Sequence, residues 1–149
     1  NSRMPLTIVT SSLLIATELA SKPQVRTIVA GGEVRPGELS LIGASTENAF
    51  QNFNCDSFFI GVAGVSAANG LTEYNLDDSR VKKSAIKASA RKIVLADSSK
   101  IGKVAFASVA DLSEIDILIT DANPKNKEIN LIKDAGVEVI HVEPFEKEN

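Results

Sequence analysis

The sequence predicts an α/β fold with a mainly parallel sheet flanked by helices, on three observations. Apolar runs of strand length alternate with helical patterns along the chain, as in proteins built from strand–helix–strand units. Two of these runs, FFIGVAGV at 58–65 and IVLA at 93–96, are almost continuously apolar, which is typical of strands buried on both faces. Stretches rich in glycine and hydroxyl side chains follow the runs, where a parallel sheet gathers its loops.

The first part of the chain contains four predicted strands and two predicted helices. Leu13, Ala16 and Leu19 recur at helical spacing, with Ser11 or Ser12 as the expected N-cap. The predicted strands cover Leu6–Thr10, Val25–Ala30, Glu38–Gly43 and Asp56–Val65, and the predicted helices cover Ser12–Ser21 and Ala44–Phe53.

The second part continues the alternation. Its clearest helix, Leu76–Ala90, has acidic residues in its first turn and lysines further on, as the helix dipole favours. A second helix, Asn126–Gly136, ends at a glycine. Further strands are predicted at Arg91–Ala96, Asp116–Thr120 and Val137–Val142. Neither a linker nor an internal repeat interrupts residues 1–149, so we expect one domain.

The composition excludes several classes of protein. The net charge of −3 provides no general positive field for nucleic acid. Cys55 is the single cysteine, which rules out an intramolecular disulfide, suggests a reducing cytoplasm and fits packing better than catalysis. No apolar run approaches the roughly 20 residues that a membrane-spanning helix needs.

The polar stretches after the strands are the candidate binding site. TSS, GGEVR, GVAGVSAANGLTEYN, DSSKIG and TDANP follow successive strands. In a parallel sheet such loops meet at the carboxyl edge, where ligands usually bind. They contain backbone N–H groups, hydroxyls and one lysine, which suit a phosphate or a sugar.

Each candidate also has a purely structural interpretation. Thr10, Ser11 and Ser12 can cap the following helix, and Gly31 and Gly32 can simply turn the chain. These alternatives stay open on the sequence alone.

The remaining candidates are open in the same way. Gly61 and Gly64 weaken a strand, which points to close approach of backbone or ligand. Lys100 is either a solvated lysine or a ligand contact, and the charges of DDSRVKK (77–83) fit a solvated helix face. His141 is the single histidine, so neither a metal site nor acid–base catalysis is expected.

Four stretches taken together resemble successive blocks of the effector-binding domain of DeoR-family transcriptional regulators. They cover nearly the whole chain in order, and GLTEYNLDD and ADSSKIGK are the most specific parts. The blocks are TIVTSSLLIATEL, VAGGEVRPGELSLIG, CDSFFIGVAGVSAANGLTEYNLDDSRVKKSAI and IVLADSSKIGKVAFASVADLSEIDILITD.

The resemblance implies a Rossmann-like sheet related to ribose-5-phosphate isomerase and the CoA-transferase-like proteins. It implies a cytoplasmic bacterial repressor that senses a phosphorylated sugar or polyol and forms homo-oligomers. Operator DNA would be bound only through an N-terminal helix-turn-helix. This chain is expected to lack that segment and the family's DSGTT-like strand and loop, part of the phosphate site.

The resemblance also implies which residues bind the effector, with no cofactor and no metal. They come from the TSS loop, the GG turn, the glycine-containing strand with its exit, and the lysine loop. The implied residues are Thr10, Ser11, Ser12, Gly31, Gly32, Gly61, Gly64, Gly70, Thr72, Glu73, Asp97, Ser99 and Lys100.

Two functions remain on this scaffold, a sensor and a small sugar-phosphate isomerase or transferase. Sugar isomerases related to the family have acidic residues where this chain has GVAGV (61–65), which provides no acid–base pair. Glu73 and Asp97 are the strongest carboxylate candidates that remain. We therefore expect binding without catalysis.

Overall fold

Eleven strands and four helices lie between residues 5 and 144, the part of the chain that the computed structural model describes. Contacts divide the chain into two compact units, Asn1–Phe53 and Asn54–Asn149. The expectation of one domain stays a prediction, because a single domain can also contain compact units of this size. Within the described part, every helix is too short or too polar to cross a membrane.

The first unit combines a parallel strand pair with a short antiparallel hairpin. Its elements are β1 (Leu6–Thr10), α1 (Leu13–Ala20), β2 (Val25–Val29), β3 (Glu33–Arg35), β4 (Ser40–Ile42) and α2 (Ala44–Phe50). β1 and β2 run parallel, and α1 connects them. The Ser12 hydroxyl caps α1 by accepting a hydrogen bond from the Ile15 N–H at 3.3 Å, which confirms the expected cap.

The hairpin differs from the sequence prediction at its start. The strand predicted from Glu38 begins at Ser40 and pairs antiparallel with β3. Residues 36–39 form the turn, where Gly37 has a φ of +84°. β3 was not predicted, because its three residues, Glu-Val-Arg, show no apolar run.

The second unit contains two sheets. In chain order its elements are β5 (Cys55–Gly61), β6 (Gly64–Ser66), β7 (Gly70–Glu73), α3 (Leu76–Lys87), β8 (Ser89–Leu95), β9 (Ala107–Ala110), β10 (Ile117–Thr120), α4 (Lys127–Asp134) and β11 (Glu138–His141). Four strands form a parallel sheet in the order β11-β10-β8-β5, with α3 and α4 in the connections. This sheet confirms the predicted α/β fold. The expected burial of both faces is wrong for Phe59 of β5 and Leu95 of β8, whose side chains are exposed.

The helices of this unit begin where the sequence indicates. The Asn75 side chain caps α3 by accepting a hydrogen bond from the Asp78 N–H at 3.0 Å. Asp77 and Asp78 lie in the first turn and Lys87 in the last, an arrangement that the helix dipole favours. Side chains of α3 and α4 then pack with the sheet into one apolar core, which includes Ile60, Ile86, Val94, Leu118, Ile129 and Ile132.

The predicted single strand Asp56–Val65 is wrong. β5 ends at Gly61, and the chain crosses into a second, antiparallel sheet in the order β6-β7-β9. The Ala63 N–H already donates to the Thr72 carbonyl at 3.1 Å. Because residues 62–66 are buried and almost all apolar, the sequence shows no boundary between the two strands.

Candidate functional site

The four parallel strands of the second unit end at one edge. Gly61 of β5 stands opposite Leu95 of β8, Leu95 stands opposite Ile119 of β10, and Thr120 stands opposite His141 of β11. The segments that follow these strands therefore gather at the carboxyl edge, as the sequence predicted for DSSKIG and TDANP.

The DSSK segment follows β8 directly and forms a single turn of 3₁₀ helix at Ser98–Lys100. The Asp97 carboxylate accepts hydrogen bonds from the Ser99 N–H at 2.8 Å and from the Ser99 hydroxyl. The Asp121 carboxylate accepts one from the Ser98 N–H at 2.6 Å. Carboxylates at the ends of β8 and β10 thus fix the turn that carries Lys100.

These hydrogen bonds also set the charge of Asp97. The hydroxyl and the N–H of Ser99 lower the pKa of the Asp97 carboxyl, and the positive charges of Lys100 and Lys103 lower it less. The carboxylate is therefore ionised throughout the neutral range and is a weak base.

Lys100 is partly buried, and its ammonium makes no hydrogen bond or close ion pair among residues 5–144, although its charge acts on the Asp97 carboxylate. The Lys100 N–H is held by the Asp97 carbonyl at 3.0 Å. A cation on a fixed backbone and without a protein partner is available to an anionic ligand.

An open pocket of about 370 Å³ lies at the same edge, where β8, β10 and β11 end. Three carboxylates border it, and Lys100 is not part of its wall. Its lining consists of Leu95, Ala96, Asp97, Ile119, Thr120, Asp121, Val142, Glu143 and Pro144. Carboxylates repel a phosphate and accept hydrogen bonds from hydroxyls, so this pocket suits the polyol part of a ligand.

The end of β5 holds a lysine that the sequence placed on a solvated helix face. Lys82 of α3 donates to the Gly61 carbonyl at 2.5 Å and forms an ion pair with Glu73 of β7. The solvated-face prediction is therefore wrong for Lys82. Lys82 lies 21 residues from Gly61 in sequence, so no local pattern signals this contact.

Gly64, Gly70 and Thr72 lie in the antiparallel sheet, where they are buried. A Cβ on Gly64 would overlap the Lys103 carbonyl oxygen, and one on Gly70 would overlap the Ala110 carbonyl oxygen. The expected close approach at Gly64 is thus backbone approach. Thr72 uses its hydroxyl to accept a hydrogen bond from the Ala105 N–H at 2.8 Å. For these residues, ligand contact stays a prediction.

In the first unit, the TSS loop lies at the carboxyl end of β1. The buried Thr10 hydroxyl accepts a hydrogen bond from the Ser12 N–H at 3.0 Å, and the Ser11 carbonyl accepts one from the Leu41 N–H at 2.7 Å. The hydrogen bond from the Ile15 N–H shows that Ser12 caps α1, whereas ligand contact by the loop stays a prediction.

The GG turn follows β2 at the same end of this strand pair, since the Ala30 N–H donates to the Thr10 carbonyl at 2.9 Å. Gly31 and Gly32 have φ values of +77° and +118°. The fully buried Thr46 donates its hydroxyl to the Gly31 carbonyl at 2.6 Å and occupies the space beside Gly32. The structure therefore brings the TSS loop and the GG turn together, and Thr46 is a supporting residue that the sequence did not reveal.

His141 ends β11, where its Nε2 lies 3.7 Å from the Glu143 carboxylate, and Cys55 begins β5. His141 Nδ1 lies 3.1 Å from the Ala122 carbonyl oxygen, and Cys55 opens β5 with a free thiol. In this range, no three His, Cys, Asp or Glu side chains are grouped so as to hold a metal ion.

Residues 1–122 match the family described as the DeoR C terminal sensor domain. The chain belongs to this family. The resemblance that the ADSSKIGK and GLTEYNLDD blocks carried is thereby confirmed, and this fold is that of a DeoR-type sensor domain.

Three curated relatives of this chain are described as repressors. The HTH-type transcriptional repressor GlcR of Bacillus subtilis (strain 168) is 34% identical over 140 residues, which are 94% of this chain and 54% of that protein. The glycerol-3-phosphate regulon repressor of Escherichia coli (strain K12) is 30% identical over 134 residues, 90% of this chain and 53% of that protein. The deoxyribose operon repressor of the same strain is 28% identical over 141 residues, with 95% and 56% covered.

The chain thus spans about half the length of the curated relatives that it matches.

Proposed function

We propose that this sensor domain binds a phosphorylated sugar or polyol at the carboxyl edge of its four-stranded sheet, with the phosphate at Lys100. The observation that carries the proposal is the DSSK turn, in which two carboxylates hold the backbone, while the lysine ammonium makes no hydrogen bond to another residue of the described range 5–144. A phosphate supplies the missing partner.

The distribution of charge supports this orientation of the ligand. Asp97, Asp121 and Glu143 border the open pocket, and a phosphate placed there would meet three carboxylates. Hydroxyl groups can donate hydrogen bonds to the same oxygens. The phosphate therefore belongs beside Lys100 and the polyol part beside the carboxylates.

The names of two relatives fit this chemistry. One is a glycerol-3-phosphate regulon repressor and another a deoxyribose operon repressor. Glycerol 3-phosphate is a phosphorylated polyol and belongs to the proposed class of effector, whereas deoxyribose, a sugar without a phosphate, supports only the sugar part of the proposal. Neither name selects a member of the class.

We place this domain in a longer regulator whose DNA contacts come from another segment. GlcR is described as an HTH-type repressor, and this chain matches about half of it. The acidic balance of the chain, −3, opposes contact with DNA phosphates by the sensor itself. The effector acts by binding two conformations of the regulator with different affinity.

Binding without catalysis is favoured over the isomerase or transferase alternative. The lowered pKa of Asp97 makes that carboxylate a poor general base, and Glu73 is held in an ion pair by Lys82. Neither candidate carboxylate has the properties of a proton shuttle.

A thermal-shift screen of the 149-residue protein tests the proposal. The panel contains glycerol 3-phosphate, ribose 5-phosphate, glucose 6-phosphate and fructose 6-phosphate, each beside its unphosphorylated form and inorganic phosphate. We expect at least one phosphorylated compound to raise Tm, because a ligand that binds only the folded state stabilises it. Equal shifts with inorganic phosphate, or conversion of a compound during incubation, would contradict the proposal.

A further inference from the structure

Lys82 and Glu73 form a partly buried ion pair at the end of β5. Lys82 Nζ contacts Glu73 Oε1 and donates to the Gly61 carbonyl at 2.5 Å. The side chains of Lys82 and Glu73 are 25% and 12% exposed, respectively. A pair so far withdrawn from water depends on its hydrogen bonds, since both charges have lost much of their hydration.

Neither member of the pair has used all its hydrogen-bonding capacity. An ammonium has three donors, and Gly61 and Glu73 occupy two of those of Lys82. Among residues 5–144, Lys82 is the sole hydrogen-bond partner of the Glu73 carboxylate, which keeps acceptor capacity. One donor and at least one acceptor therefore lie side by side without a protein partner.

The backbone at Gly61, whose carbonyl Lys82 contacts, borders free space. Gly61 is exposed, and no heavy atom lies within 4 Å of the position that a Cβ on Gly61 would take. A ligand can therefore approach the backbone at the end of β5. This differs from Gly64, where the Lys103 carbonyl fills the corresponding space.

A hydroxyl group is the ligand chemistry that fits a donor and an acceptor placed together. It accepts a hydrogen bond from the ammonium and donates one to the carboxylate. An isolated anion would be repelled by Glu73, and an isolated cation would be repelled by Lys82.

We propose that Lys82 and Glu73 recognise one hydroxyl of the effector, which makes Lys82 a specificity-determining residue of the sensor. This rests on the proposed function, in which the phosphate lies at Lys100. Gly61 stands opposite Leu95, and the turn that carries Lys100 starts after Ala96, so both contacts belong to adjacent strand ends.

The test is a set of calorimetric titrations with the sugar phosphate that binds wild type most tightly in the screen and with each of its monodeoxy derivatives. The proteins are wild type, Lys82→Met, Lys82→Gln and Lys83→Met. Lys83 is the exposed neighbour on the same helix and controls for loss of a charge. Lys82→Gln, which keeps a donor for the Gly61 carbonyl, serves as the test variant if Lys82→Met does not fold.

We expect wild type to bind one monodeoxy derivative about tenfold to a hundredfold more weakly than the parent compound, because that derivative leaves the pair unsatisfied. Lys82→Met should weaken binding of the parent by a similar factor and remove this discrimination, and Lys82→Gln should reduce it. Lys83→Met should keep it. A merely structural role would lower Tm and weaken every compound equally.

Two failures are distinguishable. In the first, wild type binds a phosphorylated sugar and Lys100→Ala weakens that binding, but both Lys82 variants either keep the discrimination or weaken all compounds equally. The role of Lys82 is then wrong, and the proposed function stands. If wild type binds no phosphorylated compound, both are overturned.

Discussion

The Asp97 carboxylate accepts hydrogen bonds from both the N–H and the hydroxyl of Ser99, two residues further along the chain. This contact makes Asp97 the cap of the turn that ends at Lys100. A side chain that looks catalytic in the sequence is therefore first a part of the loop's architecture. Its negative charge is stabilised by the same hydrogen bonds that position the lysine.

Asp97→Ala should weaken effector binding by about tenfold even though Lys100 is retained. Without the carboxylate, the N–H and the hydroxyl of Ser99 lose their acceptor, so the turn that carries Lys100 must be ordered when the effector binds; a tenfold loss of affinity corresponds to about 1.4 kcal/mol. Calorimetry with the effector found by the screen measures this. Thr7→Ala, which changes an exposed residue of the other compact unit, serves as the control. Wild-type affinity in Asp97→Ala would show that the turn needs no cap.

The contribution of Asp97 to stability should depend on pH in one direction. Because its folded-state pKa is lowered, the ionised carboxylate stabilises the folded protein above about pH 4, the ordinary pKa of an unfolded aspartate. This contribution is lost as the pH falls through the folded-state pKa. The difference in Tm between wild type and Asp97→Asn should therefore be largest near neutral pH and smallest near pH 2.5.

The effect is expected to be small, because Asp97 is exposed to solvent. Melting curves for both proteins in matched buffers from pH 2.5 to pH 7 measure it. A difference that grows on acidification would mean that the protonated form is the stabilised one and would contradict the assigned hydrogen bonds.

Gly64→Ala and Gly61→Ala should separate packing from binding. At Gly64 the new methyl group would overlap backbone atoms of Lys103, so the free energy of unfolding should fall by about 1–3 kcal/mol or more. At Gly61 the space is open, so the change should stay within about 0.5 kcal/mol. Urea denaturation of both variants checks this. Equal destabilisation would show that the space beside Gly61 is not available to a ligand.

Much of the fold could be predicted because its signals are local. The apolar run before Asp97 and the capping residue Ser12 each fix an element through neighbouring residues. The antiparallel sheet could not be predicted. β6 and β7 are short, and the pairing of β7 with β9 joins residues far apart in sequence.

The candidate site also has one part that could be predicted from the sequence and one part that could not. The DSSK turn follows from residues next to one another, whereas the Lys82 contact joins α3 to the ends of β5 and β7. The sequence of a helix does not distinguish a lysine that contacts the end of a strand from a lysine that is solvated. Gly64 was recognised as a place of close approach, but the sequence could not show that the approaching group is the Lys103 carbonyl.

Titration of wild type and Lys100→Ala with the effector from the screen tests the central claim most directly. Lys125→Ala, which removes another exposed lysine, is the matched control. A hydrogen bond to a charged group contributes about 1.5–3 kcal/mol, so Lys100→Ala should weaken binding roughly tenfold to a hundredfold with little change in Tm. Unchanged affinity, or a collapse of Tm in Lys100→Ala alone, would contradict the assignment of Lys100 to the phosphate.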